Sequence, residues 1–328
     1  MALRLDPEDE YMHELGPESN FNESMYFNLY DPKVNLGGWF RLGNRANEGY
    51  AEMTTCLYLP GGRVGFMFNR PKISDNDSFN AGGMSFEVIE PFKQLRVRYE
   101  GKVVLLDDPL QMADPKKAFT ENPYAECSVD IAYTGVSTMV GGEPDESHEK
   151  PGEEFARGHY EQLIAGKATV KVGDDEWTLD GFGLRDHSWG PRYWQAPWYY
   201  RWLTANFGPD FGFMGSRVAR KEGKGTRGGF VWEDGKVTFC DDFEISTTWT
   251  GEDVYHETID ATLKAGDQSW HVTGQVLNLI PLRNRREELV TRISEGMTEW
   301  TLDDGRKGYG LSEYLDQIID GKPVGLDE

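Results

Sequence analysis

The sequence is short of several things, and each shortage removes a class of protein. Only three cysteines occur in 328 residues, Cys56, Cys127 and Cys240, and none lies near another. That excludes a Cys-rich zinc site, argues against a disulfide framework and fits a reducing, cytoplasmic setting. No run approaches the roughly 18 apolar residues of a spanning helix, so no integral membrane segment is expected. Basic residues are outnumbered, 34 Lys and Arg against 56 Asp and Glu, giving a formal net charge of −22. A surface that negative repels phosphate backbones and anionic lipid, which makes nucleic acid an unsuitable partner. The chain turns acidic at Asp6, without the features of a secretory signal. Six histidines leave a metal site little to draw on, and no His-x-x-x-His pair exists. His159, Glu161 and His187 could meet only through the fold, so no metal is expected.

Helical periodicity is scarce too. Helices are expected only over Pro109–Ala118 and Ser312–Ile319. Period-two alternation recurs instead. Ile259, Ala261, Leu263 and Ala265 alternate with Thr258, Asp260, Thr262 and Lys264. Such segments bury one face and wet the other. Turn signals divide them at Gly61-Gly62, Gly101-Lys102, Gly173-Asp174-Asp175 and Ala265-Gly266-Asp267. Lys221–Gly225 lacks P-loop spacing and reads as a hairpin tip. Many short strands with few helices imply an all-β fold of antiparallel barrels or half-barrels. One barrel of eight to ten strands uses on the order of 150 residues, and this chain holds about twice that. We therefore expect two domains, 1–190 and 191–328. The charged stretch from Gly141 to Gly158 reads as a linker or as a long surface loop.

What is abundant is aromatic: 13% of residues, with 10 Trp. The most informative stretch runs from Gly181 to Trp194 and holds Arg185, Asp186, His187, Trp189, Arg192 and Trp194. If extended, it sets Arg185, His187 and Trp189 on one face and Leu184, Asp186 and Ser188 on the other. Gly190-Pro191 should end the strand. A desolvated carboxylic acid keeps its proton near neutral pH, and histidine exchanges protons in either direction. Asp186 and His187 are thus candidates for acid/base work, and His159 with Glu161, sharing one strand face, are a second pair. Trp189, Trp194, Trp198 and Tyr200 could line an apolar pocket and stabilise a cation over their rings. Arg192 would orient a polar substrate group or clamp Asp186. The same residues would serve equally well as a structural staple between sheets. His256 and His271 read as solvated strand positions, and Glu313 and Tyr314 as parts of a terminal helix. Gly181-Phe182-Gly183 lacks the third glycine and the βαβ unit of a nicotinamide site, so no cofactor is expected. The absence of a Gly-x-Ser-x-Gly elbow weighs against an ordinary serine hydrolase.

Asp186-His187-Ser188-Trp189-Gly190 resembles the Asp-His-Asn/Ser-Trp-Gly motif of the carotenoid 1,2-hydratase (hydroxyneurosporene synthase) and AttH-like superfamily. His159-Tyr160-Glu161-Gln162 and Gly308–Tyr314 support the likeness, which spans most of the chain. That superfamily holds tandem lipocalin-like (calycin) proteins, among them fungal hydratases and cofactor-free Diels–Alderases. The resemblance implies two packed calycin-type barrels with a pocket in or between them. Together with the residues, it leads us to expect a cofactor-independent lyase, a hydratase or dehydratase, acting on a hydrophobic or aromatic small molecule. An isomerase or cyclase is the nearest alternative, and a non-catalytic carrier of an apolar ligand is the rival class. Two barrels with free strand edges could also support a homodimer.

Overall fold

The computed structural model describes residues 3–144, 156–193, 197–286 and 289–326. It divides into two compact units, Met1–Leu106 with Asn122–Ala196, and Asp107–Glu121 with Pro197–Glu328. The fold is all-β, built from two antiparallel sheets.

The first unit contains β1 (Leu3–Arg4), β2 (Phe21–Asp31), β3 (Leu36–Arg45), β4 (Tyr50–Tyr58), β5 (Val64–Asn69) and β6 (Asn80–Ala81). It continues with β7 (Met84–Glu90), β8 (Gln94–Leu106), β9 (Tyr124–Gly135), β10 (Val140–Pro144), β11 (Gly158–Val172) and β12 (Asp175–Pro191). Pairing runs β11–β12–β2–β3–β4–β5–β8, and β9 bonds to both β8 and β11, which closes a ring. Closure satisfies the backbone groups that an open edge would expose. Met25, Phe27 and Leu29 of β2 and Phe40 and Leu42 of β3 point inward. With Val97, Val129, Ile131 and Ile164 they form the core. The turn expected at Gly101-Lys102 does not form, and β8 runs through it. Gly101 is there for space: a Cβ would sit 2.7 Å from the Tyr99 hydroxyl. The other three expected turns form: two separate β4 from β5 and β11 from β12, and the one at Ala265-Gly266-Asp267 lies in the second unit.

The second unit contains β13 (Tyr199–Asn206), β14 (Phe211–Ala219), β15 (Thr226–Glu233), β16 (Lys236–Cys240) and β17 (Asp242–Thr250). β18 (Tyr255–Ala265), β19 (Gln268–Arg286), β20 (Leu289–Leu302), β21 (Lys307–Ile319) and β22 (Lys322–Pro323) follow. Its sheet runs β16–β15–β14–β13–β21–β20–β19–β18–β17. Phe213, Phe243, Leu263, Val272 and Trp300 are part of its core. Lys221–Gly225 lies in the β14–β15 connection, as a hairpin tip should. The helical stretch near 109 is a 3-10 turn, Pro109–Ala113, followed by α1 (Pro115–Glu121). The helix expected over Ser312–Ile319 is instead strand, hydrogen-bonded to β13 on one side and β20 on the other. Glu313 and Tyr314 are therefore strand residues. His256 is buried, not solvated: its Nε2 lies 3.1 Å from the Ser312 carbonyl, and its ring stacks on Tyr314. His271 is half-exposed between Asp260 and Asp303.

Candidate active site

β12 is the strand that positions the site, and its alternation divides the motif between two sides. β12 pairs with β11 through Tyr160↔His187 and Glu161↔Asp186. It pairs with β2 through Asp186↔Tyr26 and His187↔Met25. Met25 belongs to the core, so Arg185, His187 and Trp189 turn into the barrel while Asp186 and Ser188 turn out. Gly183 lets the two strands approach, because a Cβ there would lie 1.9 Å from the Asn28 carbonyl oxygen. Adjacent Asp186 and His187 accordingly do not share a site.

The inner side is a sealed polar network. Glu10, from the 3-10 turn Pro7–Glu10, meets Arg185 in a two-pronged ion pair at 2.6 and 2.8 Å, with both side chains fully buried. Arg185 Nε donates to Gln162 Oε1 at 2.9 Å. The Tyr160 hydroxyl donates to Glu10 at 2.6 Å, and the Phe92 backbone N–H donates to it at 2.7 Å. His187 lies between Tyr160, at 3.4 Å from Nδ1, and Glu23, at 3.0 Å from Nε2. Glu23 also faces His13 Nδ1 at 2.7 Å and accepts from Asn76 at 2.6 Å. Burial would raise the Glu23 carboxyl, but donors from His13 and His187 win and hold it at about 2. Trp189 caps the network, stacked on His13 with centroids 4.0 Å apart. Buried charge survives here because every charged group has a partner.

The outer side is arranged differently. One transverse row crosses the sheet as Glu161, Asp186, Tyr26, Arg41 and Thr54. The neighbouring rows bring His159, Ser188 and Ser24, and also Trp39, Cys56 and Phe66. Asp186 is partly exposed, and its carboxylate accepts no hydrogen bond from the described residues. Burial raises its carboxyl to about 6, against the pull of Arg192, Arg41 and Arg185. Arg192 does not clamp it. Its Nη2 donates to Ser188 Oγ at 2.5 Å and to Ser24 Oγ at 3.3 Å, and it acts on Asp186 through charge alone. Burial, together with the nearby Arg41, lowers the Arg192 guanidinium to about 9. Glu161 is buried on this face, with the half-exposed His159 imidazole 3.8 Å away.

The structure thus gathers Asp186, Glu161, His159 and Arg192 on one face and places His187 and Trp189 on the other. The combination of His159, Glu161 and His187 is divided between the two sides. Trp198 and Tyr200 belong to the second unit, where the Tyr200 hydroxyl donates to Glu313. Trp194 lies outside the described residues, as does most of the 141–158 stretch. Sequence reasoning missed Glu10, His13, Glu23, Tyr26 and Arg41. One signal was available for Glu23. Phe21, Glu23, Met25, Phe27 and Leu29 alternate in β2, so a carboxylate stands where the pattern calls for an apolar residue.

Residues 6–318 match the profile described as a domain of unknown function, DUF7064. The chain belongs to this DUF7064 family. No curated protein matches the sequence. Among solved structures, this DUF7064 chain is similar to a Nitrosomonas europaea protein described as AttH, with TM-score 0.66, 14% identity, and 95% and 96% of the two chains covered. It is similar to CghA bound to Sch210972, with TM-score 0.55, 11% identity and 93% of each chain covered. It is also similar to kievitone hydratase from Nectria haematococca, with TM-score 0.52, 11% identity, and 89% and 88% covered. The DUF7064 chain therefore shares the all-β, lipocalin-like fold of these solved proteins, the fold that the resemblance around Asp186 implied.

Proposed function

We propose that this protein is a cofactor-independent lyase, a hydratase or dehydratase acting on a hydrophobic or aromatic small molecule, with Asp186 as its acid. The observation that carries this reading is the contrast between the faces of β12. Every charged group facing inward is committed to a buried partner. Asp186 is partly exposed, and its carboxylate is hydrogen-bonded to no described residue. Its neighbours suit the chemistry. Protonating an alkene creates positive charge, which the ring faces of Tyr26 and Trp39 can stabilise. Glu161, directly across the strand pair, is placed to take the proton from an attacking water molecule. Arg192 would hold a polar substituent of the substrate. Dehydration runs the same steps in reverse, and isomerisation or cyclisation would draw on the same acid.

The reading is tested by incubating the protein in H2(18)O with a panel of aryl- and prenyl-substituted alkenes and following label uptake by mass spectrometry. Asp186→Asn should lower turnover by about 10²–10⁴-fold, the range for loss of a general acid. Arg192→Gln should mainly raise KM. Full turnover in folded Asp186→Asn would sink the assignment. Tight retention of a panel compound without conversion would favour the carrier instead.

A further inference from the structure

The inner network also brings three ligand-type side chains together. His13, Glu23 and His187 each offer one ligand-type atom, and these atoms all lie within 4.8 Å of one another. They come from three separate places: the N-terminal segment, β2 and β12. His13 Nδ1 is 2.7 Å from Glu23 Oε1, and His187 Nε2 is 3.0 Å from that same oxygen. Tetrahedral zinc with bonds of about 2.0–2.1 Å separates its N and O ligands by about 3.3 Å. The two imidazole–carboxylate separations fall about 0.6 and 0.3 Å short of that value, and the two imidazole nitrogens, at most 4.8 Å apart, would close around the ion.

The far atom of each residue is held as well. His13 Nε2 faces Asp9 Oδ1 at 3.4 Å. His187 Nδ1 faces the Tyr160 hydroxyl at 3.4 Å, and that hydroxyl gives its own proton to Glu10. Glu23 Oε2 accepts from Asn76 Nδ2 at 2.6 Å. Outer partners of this kind fix ring orientation and tautomer at metal centres. Here they allow each neutral imidazole to move its proton outward, to Asp9 or to Tyr160, and so to free the inner nitrogen for an ion.

From this geometry we infer that His13, Glu23 and His187 form a binding site for one divalent transition ion of the zinc class. Two imidazoles and one carboxylate suit such an ion, and a solvent molecule completes the tetrahedron on the side of the part-exposed His13. The ion would fasten the N-terminal segment to β2 and β12. It lies on the opposite side of β12 from Asp186 and does not depend on the acid proposed there.

The test uses the full chain, stripped with a chelator and titrated with Zn2+ by calorimetry and with Co2+ by visible absorption. One equivalent should bind, and Co2+ should give the intense d–d band of a tetrahedral site. His13→Gln and Glu23→Gln should abolish this band. Asp9→Asn should weaken binding by about 10–100-fold, the usual cost of losing an outer partner. Asp186→Asn and His271→Ala should bind normally, which separates this site from the proposed acid and from the exposed Asp260–His271–Asp303 cluster. If the wild-type chain takes up no stoichiometric Zn2+ or Co2+, the inference fails whatever the variants do. It also fails if the band survives in His13→Gln.

Discussion

Glu10→Gln would test how firmly the N-terminal segment belongs to the barrel. Glu10 receives four bonds: two from Arg185, one from Tyr160 and one from the Phe92 backbone. Glutamine keeps the shape but offers one acceptor and two donors to a set of donors. If the amide oxygen takes the Oε2 place it keeps Arg185 Nη2 and the Phe92 N–H, but its NH2 then faces the Arg185 Nη1 and Tyr160 donors, and the guanidinium stays charged in a site with no exposure. Breaking a buried pair from one side costs about 3–5 kcal/mol. For a unit of this size, that lowers Tm by about 10 °C. The double variant Glu10→Leu with Arg185→Met removes both charges but leaves Gln162, Tyr160 and the Phe92 N–H without their partner. It should recover about half of the loss. Urea unfolding at pH 7 gives the free energies, and hydrogen exchange shows whether residues 3–20 detach first. If Glu10→Gln costs less than about 1 kcal/mol and leaves that segment protected, the pair does not anchor it.

Other outcomes follow from single residues. Burial raises the Glu295 carboxyl to about 8. The native state therefore favours its protonated form, and the associated stability, full below about 4.5, is lost as pH rises through 8. Glu295→Gln should match wild type in urea titrations at pH 4 and exceed it at pH 8 by on the order of 3 kcal/mol. Burial lowers the His256 imidazole to about 3, whereas Asp303 and Asp260 raise that of His271. In 15N-resolved spectra at pH 6, His256 should be neutral with its proton on Nε2, facing the Ser312 carbonyl, and His271 should be charged. A charged His256 would refute the burial described for it. Gly158→Ala would place a Cβ 2.1 Å from the Trp189 ring. Displacing the indole should cost about 1–3 kcal/mol and shift its fluorescence.

The sequence was readable where side chains alternate cleanly. The division of Arg185, His187 and Trp189 from Asp186 and Ser188 follows from strand geometry alone, and the structure has it. Alternation misled where a strand's inward face is polar. In β21 the inward set is Ser312, Tyr314 and Asp316, and the outward set is Leu311, Glu313 and Leu315. That reversal hides the two-residue period and leaves Leu311 and Leu315 at helical spacing. His256 was misjudged because its value lies in a contact with Ser312, 56 positions away. Glu10 and His13 sit in an acidic opening that reads as solvated, and only the fold reveals that Arg185 and Glu23 await them.

The two-sided character of β12 also bears on how this chain can change over time. A deletion of one residue within it would send Arg185 outward and Asp186 inward in one event. Both populations of side chains are therefore locked to the same segment length, even if only one of them is under selection. Diversification of the outer surface must proceed by substitution in β12, and changes in length are left to the loops around it.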